Sequence, residues 1–376
     1  MDPAYGHRPG RKPTRNSIVI KYLGSKRRLV PVLDALCVAS GATTALDLFT
    51  GTTRVAQAFK QRGLTVTAVD SARYAHLFAE CYVAIDAGEV DADDLADALA
   101  HLDGLPGEEG YVAEVFCRRA RFFRPENGAR IDAIRNALEK DFTTSPLYPI
   151  LLTSLIEAAD RVDSTTGQQM AYLKAWAPRA DRDLELRAPK LLLGAGTALH
   201  GDAVKLVRDG SLGSFDLAYL DPPYNRHRYT ANYHVWETLV AWDAPEHYGV
   251  ACKRTEVRDE PTSVFNRKRE MPAALAEVVA GVDAEVVVLS YNDESWLDRD
   301  ELEDLCRERK SGGRTDVRVL AFEQDRYVGA RIGIHGPDGS KVGAVSHTRN
   351  REYVVLAGER ARVARMASAV EGDRSR

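Results

Sequence analysis

The stretch from residue 45 to Asp70 constrains the fold more than any other part of the chain. A short apolar run, residues 45–49, breaks into a turn at Gly51, and an amphipathic helical pattern follows. An alternating strand pattern then ends in Asp70, about 20 residues past the glycine, as in a nucleoside-binding βαβ unit. In such a unit the backbone near Gly51 approaches the ligand, and the acid accepts hydrogen bonds from ribose hydroxyls. Taken alone, the pattern also fits a structural turn and a surface aspartate.

A long helical interval separates Asp70 from the remaining strand patterns. Helical periodicity covers residues 72–101, 108–140 and 147–163. Strand patterns then occupy residues 197–202, 215–220, 285–291, 316–322, 327–334, 341–346 and 352–357, with hairpin turn chemistry at 336–339. A parallel sheet needs only one crossover helix between neighbouring strands, so roughly a hundred residues are surplus and predict a helical insertion. The Arg- and Ala-rich residues beyond Gly358 show no clear core face and predict a frayed tail.

The tetrapeptide Asp221-Pro222-Pro223-Tyr224 directly follows a predicted buried strand. Its prolines stiffen the loop, and the first removes a backbone N–H beside the Asp221 carboxylate. The loop would therefore present two acceptors, this carboxylate and the Pro222 carbonyl, beside the flat ring of Tyr224. Acceptors and a stacking ring suit a planar amine such as the exocyclic amino group of a nucleobase. The alternative is a rigid loop in which Asp221 caps a helix and Tyr224 packs, and the upstream βαβ unit disfavours it.

The charge of the chain is strongly clustered. A net charge of −4, from 51 Lys and Arg against 55 Asp and Glu, argues against a protein that simply coats nucleic acid. Residues 86–114, however, hold ten acids and no Lys or Arg, and taking their ten charges away from −4 leaves +6. Residues 1–30 contain eight Lys and Arg, and residues 118–135 contain six Arg. Such runs indicate either solvated surfaces or phosphate contacts.

Several classes of protein are disfavoured by the sequence. The five cysteines are scattered and include no CxxC pair, so neither a disulfide framework nor a zinc site is indicated. The longest apolar stretch, residues 147–156, is shorter than the ~20 residues needed to cross a bilayer. The charged N-terminus is not followed by a hydrophobic segment. We therefore expect a cytoplasmic protein with no membrane partner.

The ordered set of motifs resembles the D12 class of S-adenosylmethionine-dependent DNA adenine-N6 methyltransferases, which includes the Dam-like enzymes. The matching stretches are residues 21–26 (N-terminal cofactor motif), 47–51 (glycine motif), Asp70 (ribose-binding acid), 200–202 (adenine-binding acid), 221–224 (catalytic motif), 225–239, 326–333 and 347–353. Two positions depart from the family pattern. Thr53 stands where the family usually has a second glycine, and Ala203 stands where Dam-like members have an aromatic residue.

This resemblance implies a fold, a domain division and a cofactor. The fold is α/β, a Rossmann-like class I methyltransferase sheet with an inserted, mostly helical target-recognition subdomain. Residues 15–75 and 190–358 would form the catalytic core, residues 76–189 the insertion, and residues 1–14 and 359–376 flexible tails. The cofactor would be S-adenosyl-L-methionine, leaving S-adenosyl-L-homocysteine as product, and no metal is expected.

The resemblance also implies roles for individual residues. Asp221 and the Pro222 carbonyl would accept the N6 hydrogens of a flipped adenine that stacks on Tyr224, and Pro223 completes this motif. The implied cofactor-binding residues are Tyr22 and Lys26 at the methionine end, Asp70 at the ribose, Asp202 at the adenine, and Asp47, Phe49 and Gly51. The candidate DNA contacts are Arg118, Arg119, Arg121, Arg124, Arg226 and Arg228. For these arginines a solvated face is an equal alternative, as is a helix N-cap for Asp202.

Two other functions remain open at this point. One is an amino-methyltransferase that acts on RNA or on cytosine N4, although cytosine enzymes more often have Ser in place of the first Asp of the catalytic motif. The other is a catalytically silent DNA-binding relative, which Thr53 and Ala203 suggest. The intact site residues argue against it: Asp70, Asp202, Asp221 and Tyr224. The expected partner is double-stranded DNA, with a cognate restriction endonuclease or a defence-system protein as further candidates.

Overall fold

The computed structural model describes residues 20–22, 26–170, 173, 175–224, 229–259, 262–293, 295–309, 315–325 and 349–371. The strands in these ranges are β1 (Thr44–Leu48), β2 (Thr65–Asp70), β3 (Thr197–His200), β4 (Ser214–Leu220), β5 (His247–Tyr248), β6 (Lys253–Arg254), β7 (Asp283–Asn292), β8 (Asp316–Asp325) and β9 (Arg349–Gly358). The predicted strands at 327–334 and 341–346, and the turn at 336–339, lie outside the described residues.

The α-helices of the same ranges are α1 (Val30–Ser40), α2 (Arg54–Gln61), α3 (Arg73–Ala79), α4 (Ala92–Asp103), α5 (Pro125–Asp141), α6 (Tyr148–Val162), α7 (Ala203–Arg208), α8 (Tyr229–Asn232), α9 (His234–Ala241), α10 (Glu256–Asp259), α11 (Met271–Gly281), α12 (Arg299–Arg307) and α13 (Arg360–Glu371). Two π-helical segments cover Glu80–Ala84 and Val112–Arg119. Short 3-10 turns cover Lys26–Arg28, Ala87–Glu89, Pro178–Asp181 and Val264–Asn266.

Seven of these strands form one sheet in the order β3-β2-β1-β4-β7-β9-β8. The first five of these pair in parallel, and β9 runs antiparallel to both of its neighbours. The central strands are apolar on both faces, as expected for a sheet covered by helices on two sides. This sheet confirms the predicted α/β, Rossmann-like fold. It also brings the carboxyl ends of β2, β1 and β4 to one edge, where Asp70, Thr50 and Asp221 lie side by side in the order of these strands across the sheet.

Helices cover both faces of the sheet. On one face α1, α2 and α13 bury Leu36, Phe59 and Met366 against the strands. On the other face α7, α11 and α12 bury Val204 and Leu275. The site at the strand ends is therefore supported by two packed layers rather than by loops alone.

The prediction of a frayed tail after Gly358 is wrong for the described part of that segment. Residues 360–371 form α13, in which Val363, Met366, Ala367 and Val370 are buried. These positions follow the i, i+3, i+4, i+7 spacing of a helix with one apolar face. The helix is also anchored to α1, because the Arg365 guanidinium donates a hydrogen bond to the carbonyl of Ala39 (2.7 Å). Small Ala and abundant Arg obscure this stripe in the sequence.

The long interval between β2 and β3 is helical, with α3 to α6 and both π-helical segments packed around one apolar cluster. The same cluster includes Trp236 and Leu239 of α9, which follows β4 in the chain. We call α3 to α6 together with α9 the helical layer. The division at residues 76–189 remains a prediction, since the layer also draws on residues beyond that range. In the described part of the chain, none of the helices has the length and apolar character to span a bilayer.

The two ends of the helical interval are tied to each other at a narrow neck. The amide of Ala87 donates to the carbonyl of Leu192 (3.0 Å), and the amide of Gly196 donates to that of Ala84 (3.4 Å). Beside them the buried ammonium of Lys60 on α2 donates to the carbonyls of residues 83 (2.8 Å) and 85 (2.6 Å). These bonds fix the point at which the helical interval leaves and rejoins the sheet.

Candidate active site

A cavity of about 400 Å³ opens at the carboxyl ends of the parallel strands, a volume typical of ligand pockets. Nine of the residues predicted from the sequence line it: Tyr22, Lys26, Asp47, Phe49, Gly51, Asp70, Asp202, Asp221 and Pro223. Pro222 is buried beside them. The ring of Tyr224 is half-buried, lies edge-on to Tyr291 (5.5 Å between centroids) and has the Lys26 ammonium 5.6 Å from its centroid. The sheet thus brings the predicted cofactor and catalytic residues together.

The turn that follows β1 adopts left-handed backbone at Phe49 (φ 78°), Gly51 (φ 53°) and Thr53 (φ 58°). A glycine tolerates this region freely, whereas a β-branched residue there is strained. This explains why a second glycine would suit the position of Thr53. The threonine is held by two hydrogen bonds, since its hydroxyl donates to the Thr52 carbonyl (2.7 Å) and accepts from the Gln57 amide (2.8 Å).

Asp47 and Asp70 face the cavity from the ends of β1 and β2. Asp47 Oδ2 accepts hydrogen bonds from the Thr50 hydroxyl (2.8 Å) and the Ala56 amide (3.0 Å). Its Oδ1 is buried and accepts none within the described residues, and burial raises the pKa of Asp47 to about 7. Asp70 holds the turn, because its Oδ2 accepts from the amide of Gly51 (2.9 Å). Its Oδ1 accepts from the amide of Ala72 (2.9 Å), and a carboxylate has further lone pairs that can accept from a ligand hydroxyl.

Lys26 joins the predicted catalytic acid to an acid that the sequence analysis did not select. Its ammonium lies 3.1 Å from Asp221 Oδ1 and 3.1 Å from Glu352 Oε2. Only the contact with Glu352 has the geometry of a hydrogen bond; Asp221 Oδ1 is buried and accepts no hydrogen bond from the described residues. Burial is the main cause that raises the pKa of Asp221 to about 6, against the lowering effect of Lys26. Burial alone would lower the pKa of Lys26, but the two carboxylates raise it well above its usual range.

Stacked tyrosines form the wall of the cavity nearest to the catalytic loop. The ring of Tyr22 stacks on those of Tyr233 (4.7 Å, 17°) and Tyr229 (5.5 Å, 20°), and these two rings are 6.5 Å from each other. Its hydroxyl meets that of Tyr74 at 3.3 Å, and its ring is the nearest side chain to the space beside Gly51. Sequence reasoning selected Tyr22 as a cofactor contact and Tyr229 as a candidate phosphate contact, but it assigned neither Tyr74 nor Tyr233 to the site. The stretch after the catalytic motif, where Tyr229 and Tyr233 are four residues apart on one helical face, holds the signal that identifies them.

A charged wall on the side of α9 also escaped the sequence analysis. Arg254 is 1% exposed and binds both oxygens of Asp243 (2.8 and 2.6 Å) and one oxygen of Glu256 (2.6 Å). Glu237 lines the same wall, and burial raises its pKa to about 7. Nothing in the local sequence distinguishes these residues, because they meet only through the packing of α9 against the β5–β6 hairpin.

Asp202 occupies a position compatible with both of its expected roles. Its carboxylate caps α7 by accepting a hydrogen bond from the Lys205 amide (3.0 Å), and it also lines the cavity. Ala203 follows it in the cavity wall with a methyl group where an aromatic ring would reach further.

The predicted DNA-contacting arginines divide into two pairs. Arg118 and Arg119 are exposed and form ion pairs with Glu109 and Glu114 of the acidic stretch. The guanidinium groups of Arg121 and Arg124 lie 5.2 and 4.3 Å from the ring centroid of Trp176. Arg226 and Arg228 lie outside the described residues.

Comparison with known proteins places this geometry in a family context. A sequence model described as D12 class N6 adenine-specific DNA methyltransferase matches residues 22–305. The chain is similar to Type II methyltransferase M.NlaIII of Neisseria lactamica, with 28% identity over 74% of this chain and 85% of that protein. It is 26% identical to Modification methylase StsI of Streptococcus sanguinis over 81% of this chain, which amounts to 48% of that longer protein. It is 29% identical to Type II methyltransferase M.FokI of Planomicrobium okeanokoites over 77% of this chain and 47% of that protein.

Similarity to solved structures is much weaker. A putative SAM-dependent methyltransferase from Streptococcus mutans matches 89% of this chain and 50% of its own at 10% identity, with a TM-score of 0.34. The fold assignment therefore rests on the strand order and pairing described above.

Proposed function

The chain belongs to the family of D12 class N6 adenine-specific DNA methyltransferases, and from that premise we propose that Asp221 receives the amino group of a flipped adenine. As a member of the family it is a site-specific DNA methyltransferase that uses S-adenosylmethionine. The observation that carries the proposal is the state of Asp221 Oδ1, a buried acceptor at the end of β4 that has no hydrogen bond among the described residues. The Lys26 ammonium lies 3.1 Å from this oxygen without hydrogen-bond geometry, and a buried acceptor that lacks a hydrogen bond suits a group that the substrate completes.

The catalytic contribution of the chain is positioning and electrostatics. Adenine N6 is a weak nucleophile because its lone pair is conjugated with the ring. Asp221 accepts one N6 hydrogen and the Pro222 carbonyl accepts the other, which draws the lone pair out of the ring plane. Tyr224 stacks on the base, and its contact with Tyr291 fixes the ring in place. The base has to leave the duplex stack to reach this site.

The cofactor site proposed here fits the cavity. S-adenosylmethionine supplies an electrophilic methyl group on a sulfonium centre. Asp47 Oδ1, the buried oxygen without a hydrogen bond among the described residues, is an acceptor for the ammonium of the methionine end. Asp70 offers its remaining lone pairs to the ribose hydroxyls, and Asp202 receives the adenine amino group while still capping α7. Phe49 and Gly51 shape the wall between these acids.

The DNA interface proposed here lies on the helical layer beside the catalytic loop. His234, ten residues after Tyr224, packs against Phe116 (5.7 Å) and Phe122 (5.9 Å), so the arginine-bearing segment touches the helix that follows the loop. Arg118 and Arg119 are exposed there, and phosphate oxygens can replace their present acidic partners. A cognate restriction endonuclease is a proposed partner, because relatives of this chain are named Type II methyltransferases.

Sequencing with base-modification detection on DNA from cells that express the protein tests this function. We expect N6-methyladenine at one recognition sequence for the wild type and for Asp209→Ala, an exposed acid used as the matched control. Asp221→Ala should leave the DNA unmodified. N4-methylcytosine would instead assign a cytosine substrate. Unmodified DNA would point to RNA if the purified protein binds S-adenosylmethionine, and to a silent relative if it does not.

A further inference from the structure

The group of charges around Lys26 contains one cation and two carboxylates. Lys26 is 7% exposed and Glu352 is 8% exposed, so water screens this cluster weakly. The ammonium is equally far from both acids, at 3.1 Å, yet of these two contacts only the one with Glu352 has the geometry of a hydrogen bond. Both contacts are therefore ion pairs, and the contact with Glu352 is a hydrogen bond as well.

Glu352 is itself held by the sheet. It pairs with Asn292 across the antiparallel β7–β9 ladder, and the Asn292 amide donates to Glu352 Oε1 (3.2 Å). One oxygen of Glu352 thus receives Asn292 and the other receives Lys26. A carboxylate fixed at both oxygens by rigid strands keeps the lysine in one place.

We propose that Glu352 is a positioning residue for methyl transfer, which keeps the Lys26 ammonium hydrogen-bonded to itself and so leaves Asp221 Oδ1 open to the amino group of the target base. The inference rests on the proposed catalytic role of Asp221. A lysine that bonded directly to Asp221 would occupy the acceptor that the base needs and would withdraw electron density from it. Lys26 now contacts the carboxylates of Asp221 and Glu352. If the charge of Glu352 were removed, Asp221 would remain as the charged one of the two, and the lysine would form its hydrogen bond with Asp221.

The test is Glu352→Gln, which keeps the size of the side chain and removes its charge. At saturating S-adenosylmethionine we expect the single-turnover rate to fall roughly tenfold to a hundredfold, the effect of a competing charge-assisted hydrogen bond. Cofactor affinity, measured by titration calorimetry, should change less than about threefold. Because Glu352 also raises the pKa of Asp221, the acid limb of the pH–rate profile should move to lower pH. A purely structural defect would lower the rate without moving that limb.

A double variant decides whether Glu352 acts through Lys26. In the Lys26→Met background the lysine cannot occupy Asp221, so Glu352→Gln should cost little further rate. Glu308→Gln, an exposed acid after α12, is the charge-matched control and should behave as wild type. Should Glu352→Gln fail to fold, the Lys26→Met/Glu352→Gln variant, which removes one cation and one carboxylate together, still permits comparison with Lys26→Met.

The outcomes separate this inference from the proposed function. Wild-type rate and an unmoved pH limb in Glu352→Gln, with Asp221→Ala inactive, would overturn the role of Glu352 alone. The role of Glu352 would also be overturned if Glu352→Gln lowered the rate by the same factor in the wild-type and Lys26→Met backgrounds. Retained turnover in Asp221→Ala would overturn the proposed mechanism itself.

Discussion

Buried aspartates are satisfied in the helical layer and left incomplete in the cleft of the sheet. Asp132 of α5 is fully buried, and its two oxygens accept hydrogen bonds from the amides of Gly110 (3.0 Å), Val112 (2.9 Å) and Ala113 (2.8 Å). Asp47 and Asp221 each have one buried oxygen that accepts no hydrogen bond from the described residues. The same residue type thus serves two purposes.

This difference teaches how to distinguish a structural acid from a functional one. Backbone amides at the start of a helix complete Asp132, so the fold itself recovers the cost of burying the carboxylate. The cleft aspartates are only partly completed by their own chain, and a ligand can supply the rest. Substitutions in the two regions should therefore affect different measurements.

The largest effect is expected for Asp221→Ala. Loss of the acceptor for the target amine should lower the single-turnover rate by roughly 10²–10³-fold or more, as for other preorganised catalytic contacts. The melting temperature should hardly change, because Lys26 keeps Glu352 as its partner. Rapid-quench kinetics and thermal melting measure the two quantities. A large drop in melting temperature with little change in rate would mean that Asp221 is a structural acid rather than a functional one.

Asp132→Ala should do the opposite. Removing the acceptor of three backbone amides should lower the free energy of unfolding by about 2–4 kcal/mol, as for buried donors left unsatisfied. Turnover per folded molecule should stay near wild type. Urea unfolding measures the loss, and Asp141→Ala at the exposed end of the same helix serves as the control. An inactive but stable Asp132→Ala protein would show that this acid is functional after all.

The pH dependence of transfer gives a third, graded test. Asp221 acts as an acceptor when it is ionised, and burial raises its pKa to about 6. The rate at saturating cofactor should therefore be constant above that pH and fall about tenfold per unit below it. The sign is fixed, since protonation as the pH falls removes the acceptor. A rate that is flat down to pH 5 would mean that Asp221 stays ionised or does not take part.

The smallest effect is expected at the surface of the helical layer. Arg118→Ala breaks exposed ion pairs with Glu109 and Glu114 and should change the free energy of unfolding by less than about 0.5 kcal/mol. If this arginine contacts phosphate, the slope of log K for DNA against log salt should fall by about one. An unchanged slope would leave Arg118 as a solvated ion-pair residue only.

Sequence order was sufficient to identify the residues that end parallel strands. Asp70 and the motif at 221–224 each follow a strand that the pattern of apolar residues predicts, and parallel strands bring their carboxyl ends to one edge. Local patterns therefore placed Asp70 and the catalytic motif at strand ends, whereas the resemblance to the family implied the fold class and the roles of Tyr22, Lys26 and Asp202.

Residues that depend on distant packing could not be found in the same way. Glu352 meets Lys26 across 326 positions of the chain, through the antiparallel insertion of β9 between β7 and β8. Its local signal is an acid at the start of the apolar run at residues 352–357. Arg135, one of the six arginines in the basic run, is 1% exposed and bonds to the carbonyl of Leu239 (2.7 Å), so charge density alone did not separate surface arginines from a buried one.

The neck between the sheet and the helical interval bears on how such a chain can change over evolutionary time. The amide of Ala87 is hydrogen-bonded to the carbonyl of Leu192, so the residues between them form a loop whose two ends are held together beside the sheet. The entropy of closing a loop grows slowly, by about 0.6 kcal/mol for each doubling of length. Segments of the interval can therefore lengthen, shorten or be exchanged at small cost to the strands that carry Asp70 and Asp221. With DNA recognition on the helical layer, as proposed above, sequence specificity would diversify in the interval while the chemistry of the cleft stays constant.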